Sequence, residues 1–292
     1  MTFKKLSIGT AAFGMRYGIL NNKNGLEIYE ISKILELSQD AGIEKIDTAF
    51  NYANAHKLLG LCLPKNHTFR ITTKISFNSY LDDELIFLEK KIISLLKSLR
   101  IDLLDSILLH NTNDIKNKKI LDWLFKLREK GITKKIGLSS YINELSEEIC
   151  IEGLDKIQVP ISCVDQRFLN DLVNKKPYLN HFSHVAARSV FLQGILIEKK
   201  ERLPKFLNSN DLIKIKSWRN KLKDSNIDPQ IYCISYLINQ KKINEIIIGI
   251  SSIKDVEELI NNKEKYKLNI INNIEPPHLS NKALDPRLWP KI

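Results

Sequence analysis

Apolar positions along the chain fall into two alternating patterns. Short runs rich in β-branched residues recur at Leu6–Ala11, Glu44–Thr48, Phe69–Lys74 and Asp105–His110, then at Lys135–Ser139, Lys156–Pro160, His184–Ser189 and Glu245–Ile250. Between them lie longer stretches whose apolar residues repeat at i, i+3 and i+4. These are Leu26–Asp40, Ala55–Leu63, Asp82–Leu99, Ile120–Lys130, Asn143–Ile149, Leu169–Leu179, Leu212–Lys223 with Pro229–Asn239, and Ile253–Asn262. The first pattern predicts strands and the second helices. Gly42 and Gly131 fall where helices would end, and Asn78, Asp82 and Ser252 where helices would begin.

Alternating strands and helices imply a parallel sheet. Ile107-Leu108-Leu109 and Ile246-Ile247-Ile248 are apolar throughout, as strands covered on both faces should be. Eight such units in 292 residues fit an α/β fold of the (β/α)8 TIM-barrel type. No Pro/Ser/Gly-rich linker divides the chain, so a single domain is expected over residues 1–292, with a short C-terminal tail, 276–292, laid over one end. A G-x-G-x-x-G turn after the first run and a G-x-x-x-x-G-K-[ST] motif are both missing, which removes the usual sequence support for a Rossmann fold and a P-loop.

Composition narrows the picture further. Hydrophobic residues make up 43% and charged residues 27%, as in soluble globular proteins. The net charge of +11 comes from lysines dispersed beside Asp and Glu rather than gathered into a basic tract, so a solvated surface is expected and no nucleic-acid partner. Cys62, Cys150, Cys163 and Cys233 form no C-x-x-C pair and read as packing residues in a reducing compartment. The apolar stretch after Lys4 and Lys5 is broken at Gly9, Thr10 and Gly14, too short for a signal peptide or a membrane span. A cytoplasmic protein without a membrane partner is the expectation. His181 and His184 would lie on opposite faces of a strand, so no metal site is expected there.

In a barrel of this kind chemistry sits at the C-terminal ends of the strands. Asp47 closes the second run, Lys74 the third and His110 the fourth, and Tyr52 follows Asp47 by five residues. An acid, an amine and an imidazole are thus delivered to one rim, with a phenol beside them. Together they can move a proton. A free phenol titrates near pH 10, about three units too high for ready exchange at neutrality, and the Lys74 ammonium is expected to draw the Tyr52 value down. Asp47 would keep that ammonium charged. His110 would orient a carbonyl oxygen by hydrogen bonding.

These residues resemble the catalytic tetrad of the aldo-keto reductases: Asp47 to Tyr52 in Asp47-Thr48-Ala49-Phe50-Asn51-Tyr52, Lys74 at Thr72-Thr73-Lys74, and His110 at Leu108-Leu109-His110. The resemblance covers nearly the whole chain. Leu6 to Gly14 is similar to the family's first strand and loop, Gly137-Leu138-Ser139-Ser140 to its fifth strand end, and Ile157-Gln158-Val159-Pro160 to its sixth. Ile247-Ile248-Gly249-Ile250-Ser251-Ser252 and the following Asp255 to Leu259 resemble the eighth strand and the helix at the adenosine end of the cofactor.

The resemblance implies reduction of an aldehyde or ketone to an alcohol, or the reverse, with NADPH as cofactor and NADH the alternative. Hydride would come from the nicotinamide and a proton from Tyr52. Ser139, Ser140 and Gln158 are the implied contacts of the nicotinamide carboxamide, although Ser140 stands where many members have Asn. Ala187-Arg188-Ser189 stands at the seventh strand end, where the family usually has an aromatic residue on the nicotinamide ring. There Arg188 could stack on the ring or turn to the substrate, or Phe191 could supply the ring, and Ser189 follows as a further cofactor contact. Gly249, Ser251, Ser252, Lys254 and Glu258 complete the implied cofactor site. Lys254 is the one base between Gly249 and Asp255 that could meet a 2′-phosphate, and Asp255 would oppose one if it pointed inward. A second reading is a cofactor-binding sensor or regulatory subunit with little turnover. A Schiff-base role for Lys74 is disfavoured because Asp47 and Tyr52 would keep it protonated. The expected partner is a small carbonyl compound, and no sequence feature sets its identity or an oligomeric state.

Overall fold

The structure is a computed structural model that describes residues 2–20, 24–77, 82–174, 176–198, 203–266 and 274–290. Its eight strands are β1 (Leu6–Gly9), β2 (Lys45–Asp47), β3 (Arg70–Ile75), β4 (Leu104–Leu109), β5 (Thr133–Ser139), β6 (Lys156–Pro160), β7 (His184–Arg188) and β8 (Glu245–Gly249). Each pairs in parallel with the next, and β8 returns to β1 through Leu6↔Ile246 to Gly9↔Gly249, closing the expected barrel. The strands are buried on both faces because helices cover their outer side: Ile107, Leu108, Leu109 and Ile246 are fully buried.

The helices are α1 (Ala11–Gly14), α2 (Ile28–Asp40), α3 (Ala55–Cys62), α4 (Asp82–Leu99), α5 (Lys118–Glu129), α6 (Arg167–Asn174), α7 (Ser209–Asp224), α8 (Pro229–Ile238), α9 (Ile253–Asn261) and α10 (Asn281–Leu284). Helix α4 illustrates why they dock. Leu85, Leu88, Ile92, Leu95, Leu96 and Leu99 form one buried stripe, while Asp82, Asp83 and Glu84 occupy its first turn and Lys97 its last, matching the helix dipole. Burying each of those side chains contributes about 1.5–3 kcal/mol.

Two expected helices differ. Asn143–Ile149 forms two 3-10 turns, Ile142–Glu144 and Glu147–Ile149, because the Glu144 carboxylate turns back to the Tyr141 N–H (3.4 Å) and to Thr112 Oγ1 (2.9 Å). Leu169–Leu179 is split: α6 ends at Asn174 and a separate 3-10 turn begins at Pro177, which has no N–H for a helical bond. His181 ends that turn and His184 begins β7, so the pair is not on one strand; His181 Nε2 meets Ile151 O at 2.9 Å and His184 Nε2 meets Glu245 at 3.2 Å. The expected helix start at Asn78 lies outside the described residues, as do the last two residues of the tail.

Low in the barrel, Lys156 is fully buried and bonds Glu245 at 2.7 Å and Thr72 Oγ1 at 3.0 Å. Burial alone would raise the Glu245 carboxyl, but Lys156 and His184 hold it well below the usual carboxylate range. Across the other end lies the tail. Arg287 is paired with Glu144 and, at 2.7 Å, with Asp285, which ties the tail to the segment after β5.

Candidate active site

Register brings the expected residues to one rim. Gly9 is level with Asp47, Asp47 with Thr72, Ser139 with Gln158, and Pro160 with Arg188. Tyr52 is on the loop between β2 and α3, and Gly14 is what lets that loop seat. A Cβ at Gly14 would stand 2.5 Å from Ala55 N and 2.6 Å from Tyr52 O, so any other residue would push α1 and the Tyr52 turn apart. Ala53, the next residue, takes a left-handed φ of 44°, a further sign that this turn is tightly held.

The four expected catalytic side chains meet. Lys74 is 1% exposed, and its Nζ donates to Asp47 Oδ2 at 2.6 Å, to Thr48 O at 2.9 Å and to Tyr52 OH at 3.4 Å. These three acceptors use all three ammonium hydrogens. The Tyr52 and His110 rings stand edge to face with centroids 6.1 Å apart. His110 Nδ1 is buried without a hydrogen-bond partner.

Electrostatics fix the protonation of this group. Burial, assisted by Lys74 and Arg188, lowers His110 to about 3, so its imidazole is neutral at physiological pH and carries one N–H. His56, bonded to Thr73 Oγ1 at 3.0 Å, is lowered to about 4 by burial and by Lys74. The expected depression of the Tyr52 phenol is reversed. Burial and the Asp47 carboxylate push it above its ordinary value. Tyr52 is also the most distant of the three acceptors of the Lys74 ammonium.

The carboxamide-type contacts are arranged unevenly. Ser139 Oγ donates to Gln158 Oε1 at 3.3 Å, while Gln158 Nε2 donates to Asp47 Oδ1 at 2.7 Å. Gln158 therefore supports the Asp47 carboxylate, a role its sequence position did not signal. The Ser140 hydroxyl is taken up by Thr112 Oγ1 at 2.8 Å and Tyr141 O at 3.2 Å. Arg188 crosses toward β5: its Nη2 donates to Ser140 O at 3.2 Å and its Cζ lies 4.3 Å from the Tyr141 ring centroid. Phe191 is buried. Ser189, Leu192 and Gln193 all have left-handed φ, between 48° and 59°, so the loop after β7 is tightly wound.

At the β8 end Gly249 is exposed, and the Tyr17 ring lies 3.6 Å from where its Cβ would be. The Tyr17 ring is exposed, but desolvation around its hydroxyl end and the neighbouring Tyr52 push the phenol up to about 12. Ser252 caps α9, and Asp255 takes hydrogen bonds from Ser251 N, Ser251 Oγ and Ser252 Oγ, each at 2.8 Å. Asp255 thus points inward at the helix start, the unfavourable case for a phosphate. Lys254 is largely exposed and 3.9 Å from Glu258.

A cavity of about 250 Å³ opens beside Tyr17, lined by Arg16, Tyr17, Gly18, Ile19, Gln193, Pro286 and Pro290. Loops after β1 and β7 and the tail share it. Tyr17 and Tyr141 are the residues that sequence spacing missed, since neither belongs to a strand end; the glycines flanking Tyr17 at 14 and 18 were the available hint of a loop built for close approach. Among the described residues no cluster of His, Cys, Asp and Glu suited to a metal is present, and no helix is long and apolar enough to cross a membrane.

The family model described as the aldo/keto reductase family matches residues 5–272. Among curated proteins none matches the sequence significantly. Solved structures resemble the fold. An aldo-keto reductase from Bacillus halodurans in its holo form has 18% identity and a TM-score of 0.74, with 96% of this chain and 95% of that one covered. An aldo-keto reductase from Klebsiella pneumoniae in complex with NADPH has 19% identity and a TM-score of 0.66, over 96% of this chain and 94% of that one.

Proposed function

The chain belongs to the aldo/keto reductase family, and from that premise we propose that it reduces a small aldehyde or ketone to the alcohol with NADPH, Tyr52 giving the proton. The observation that carries this reading is the position of Lys74 Nζ, bonded at once to Asp47, Thr48 O and Tyr52 OH. When bound, the nicotinamide supplies the hydride. Tyr52, raised above its ordinary pKa, keeps its proton through neutral pH and can release it to a carbonyl oxygen. Lys74 then donates to the phenolate oxygen left behind, and Asp47, held on both oxygens, keeps the ammonium charged in a buried position. Neutral His110 offers its N–H to the same carbonyl oxygen.

The donor set suits the cofactor. Ser139 and Gln158 present neutral hydrogen-bonding groups at adjacent strand ends, the chemistry a carboxamide needs, and Gly249 leaves an open floor at β8. Ser189, Ser251, Ser252, Lys254 and Glu258 continue toward the N-terminus of α9, where the adenosine end would lie; Ser140 is taken up within the protein, its hydroxyl by Thr112 and Tyr141, its N–H by Gln158 O and its carbonyl by Arg188. The Klebsiella pneumoniae relative in complex with NADPH supports this cofactor. The test is steady-state turnover of NADPH with a panel of aldehydes and ketones, followed by loss of nicotinamide absorbance. Repeated turnover on some member is expected; cofactor binding without cycling on any carbonyl would sink the assignment.

A further inference from the structure

Resting on the reductase reading, we propose that the substrate carries a carboxylate near its reacting carbonyl and that Arg188 receives it. The observation is a guanidinium left without an ion pair at the barrel mouth. Lys74 is paired with Asp47 at 2.6 Å, whereas among the described residues Arg188 has no such partner. Asp47 is fully committed, one oxygen to Lys74 and the other to Gln158. Tyr52, Tyr17 and His110 are neutral near pH 7. Among the described residues Arg188 has a single hydrogen bond, from Nη2 to a carbonyl oxygen, and its Nε is buried without an acceptor. Among the described residues no carboxylate lies within ion-pair distance of it.

Arg287 provides the internal contrast. Both guanidiniums lie over the Tyr141 ring, Arg188 at 4.3 Å and Arg287 at 3.5 Å. Arg287, however, is matched by Asp285 and Glu144. Among the described residues Arg188 has no such counter-ion, although it lies close enough to act on Tyr52, His110 and Lys74.

The missing anion is not assigned to the cofactor's phosphates. Arg188 leaves the end of β7 toward Ser140 at the end of β5, whereas β8 and the N-terminus of α9 flank β7 on its other side. A carboxylate suits the donor set because a guanidinium presents planar N–H forks of matching width, and the Arg188 side chain is only partly buried. One Nη2 hydrogen is already anchored on Ser140 O, which orients the fork before substrate arrives.

The probes are glyoxylate, pyruvate and 4-oxobutanoate, each compared with its methyl ester, using the unmodified protein and the Arg188→Gln and Arg188→Lys variants. At least one acid should exceed its ester in kcat/KM by about 10-fold or more, since a site built around a charged partner discriminates strongly against the analogue lacking it. Arg188→Gln should abolish that ratio, mostly through KM, and Arg188→Lys should restore part of it. Acetate should inhibit reduction of a neutral aldehyde competitively in the unmodified protein and much more weakly in Arg188→Gln. Esters turned over as well as acids, or an acid preference that survives Arg188→Gln, would overturn this proposal and leave the reductase standing. So would an unchanged acid-to-ester ratio in Arg188→Gln accompanied by a changed ratio of NADPH to NADP+ affinity, which would assign Arg188 to the nicotinamide. Failure of every acid and every neutral carbonyl would bring down the reductase reading itself.

Discussion

Gln158 donates to Asp47 Oδ1 at 2.7 Å, on the oxygen opposite the one that holds Lys74. The carboxylate is thereby fixed from two sides, and the ammonium is left with a defined direction for its third hydrogen, toward Tyr52. Gln158→Leu should strand a buried carboxylate oxygen, at a cost of about 1–3 kcal/mol. The ligand-free protein should melt several degrees lower, and kcat should fall about 10-fold as Lys74 loses its fixed direction. A residue that served the cofactor alone would leave the ligand-free melting temperature unchanged, so calorimetry without cofactor separates the two roles.

Tyr52→Phe removes the proposed acid while keeping the ring that faces His110. Carbonyl reduction should drop by about 10²-fold or more, with NADPH binding nearly intact. A variant that kept most of its turnover would mean that another group gives the proton.

Lys74→Met bears on pH dependence, and the direction can be worked out. Alcohol oxidation needs the phenolate, so its rate rises with pH toward the phenol's pKa, which is already above the ordinary value. Without the ammonium the phenolate is less stable, and that rise should shift to still higher pH. Reduction, which needs the phenol, should stay flat through neutrality. Because Asp47 would be left buried without its cation, Lys74→Met combined with Asp47→Asn guards against simple unfolding. Superimposable oxidation profiles in the unmodified and variant proteins would remove Lys74 from the mechanism.

The barrel was legible because its code is local: a continuous apolar run for each strand and an amphipathic stripe for each helix. The cluster of candidate catalytic residues was legible for the same reason, since Asp47 ends β2, Lys74 is the last residue but one of β3 and His110 follows β4, and the register of these strands is set by that code. What escaped was set by distant partners. Gln158 reaches Asp47 across 111 positions of sequence, and Arg188 reaches Ser140 across 48. The sign of the Tyr52 shift was missed because it depends on how deeply the phenol is buried and how close the Asp47 carboxylate comes, and residue order carries no such information. The lost helix at Asn143–Ile149 has a similar cause, a Glu144 side chain bonded to Thr112 from the preceding unit.

His56 and His110 make the fold acid-sensitive. Their folded values, about 4 and about 3, lie below the usual 6.5. The unfolded chain therefore binds protons below pH about 6.5 that the folded chain refuses, and stability falls as pH falls until each folded value is passed. Each imidazole contributes a slope of about 1.4 kcal/mol per pH unit where the unfolded form is protonated and the folded form is not. Urea unfolding at pH 7 and pH 5 should show the loss, and His110→Asn should flatten it in part, since His184 is depressed by burial as well. An equal pH dependence in that variant would locate the acid sensitivity elsewhere.

Asp255 sets the last prediction, about which cofactor binds more tightly. Its carboxylate accepts from Ser251 and Ser252 at the first turn of α9, where helix N–H groups would otherwise favour a phosphate. A 2′-phosphate at this end would meet a like charge, and Lys254 nearby is exposed and already beside Glu258. Asp255→Asn keeps one acceptor oxygen, for Ser251, turns an NH2 donor toward the Ser252 hydroxyl, and removes the charge. Relief of about 1 kcal/mol of repulsion corresponds to about 5-fold in affinity. NADPH should therefore bind about 5-fold more tightly to the variant, while NADH, which has no 2′-phosphate, should change little. Fluorescence titration of both reduced cofactors against both proteins measures the ratio directly. If the two affinities moved together, Asp255 would be acting through the shape of the helix start, and its charge would play no part in the choice.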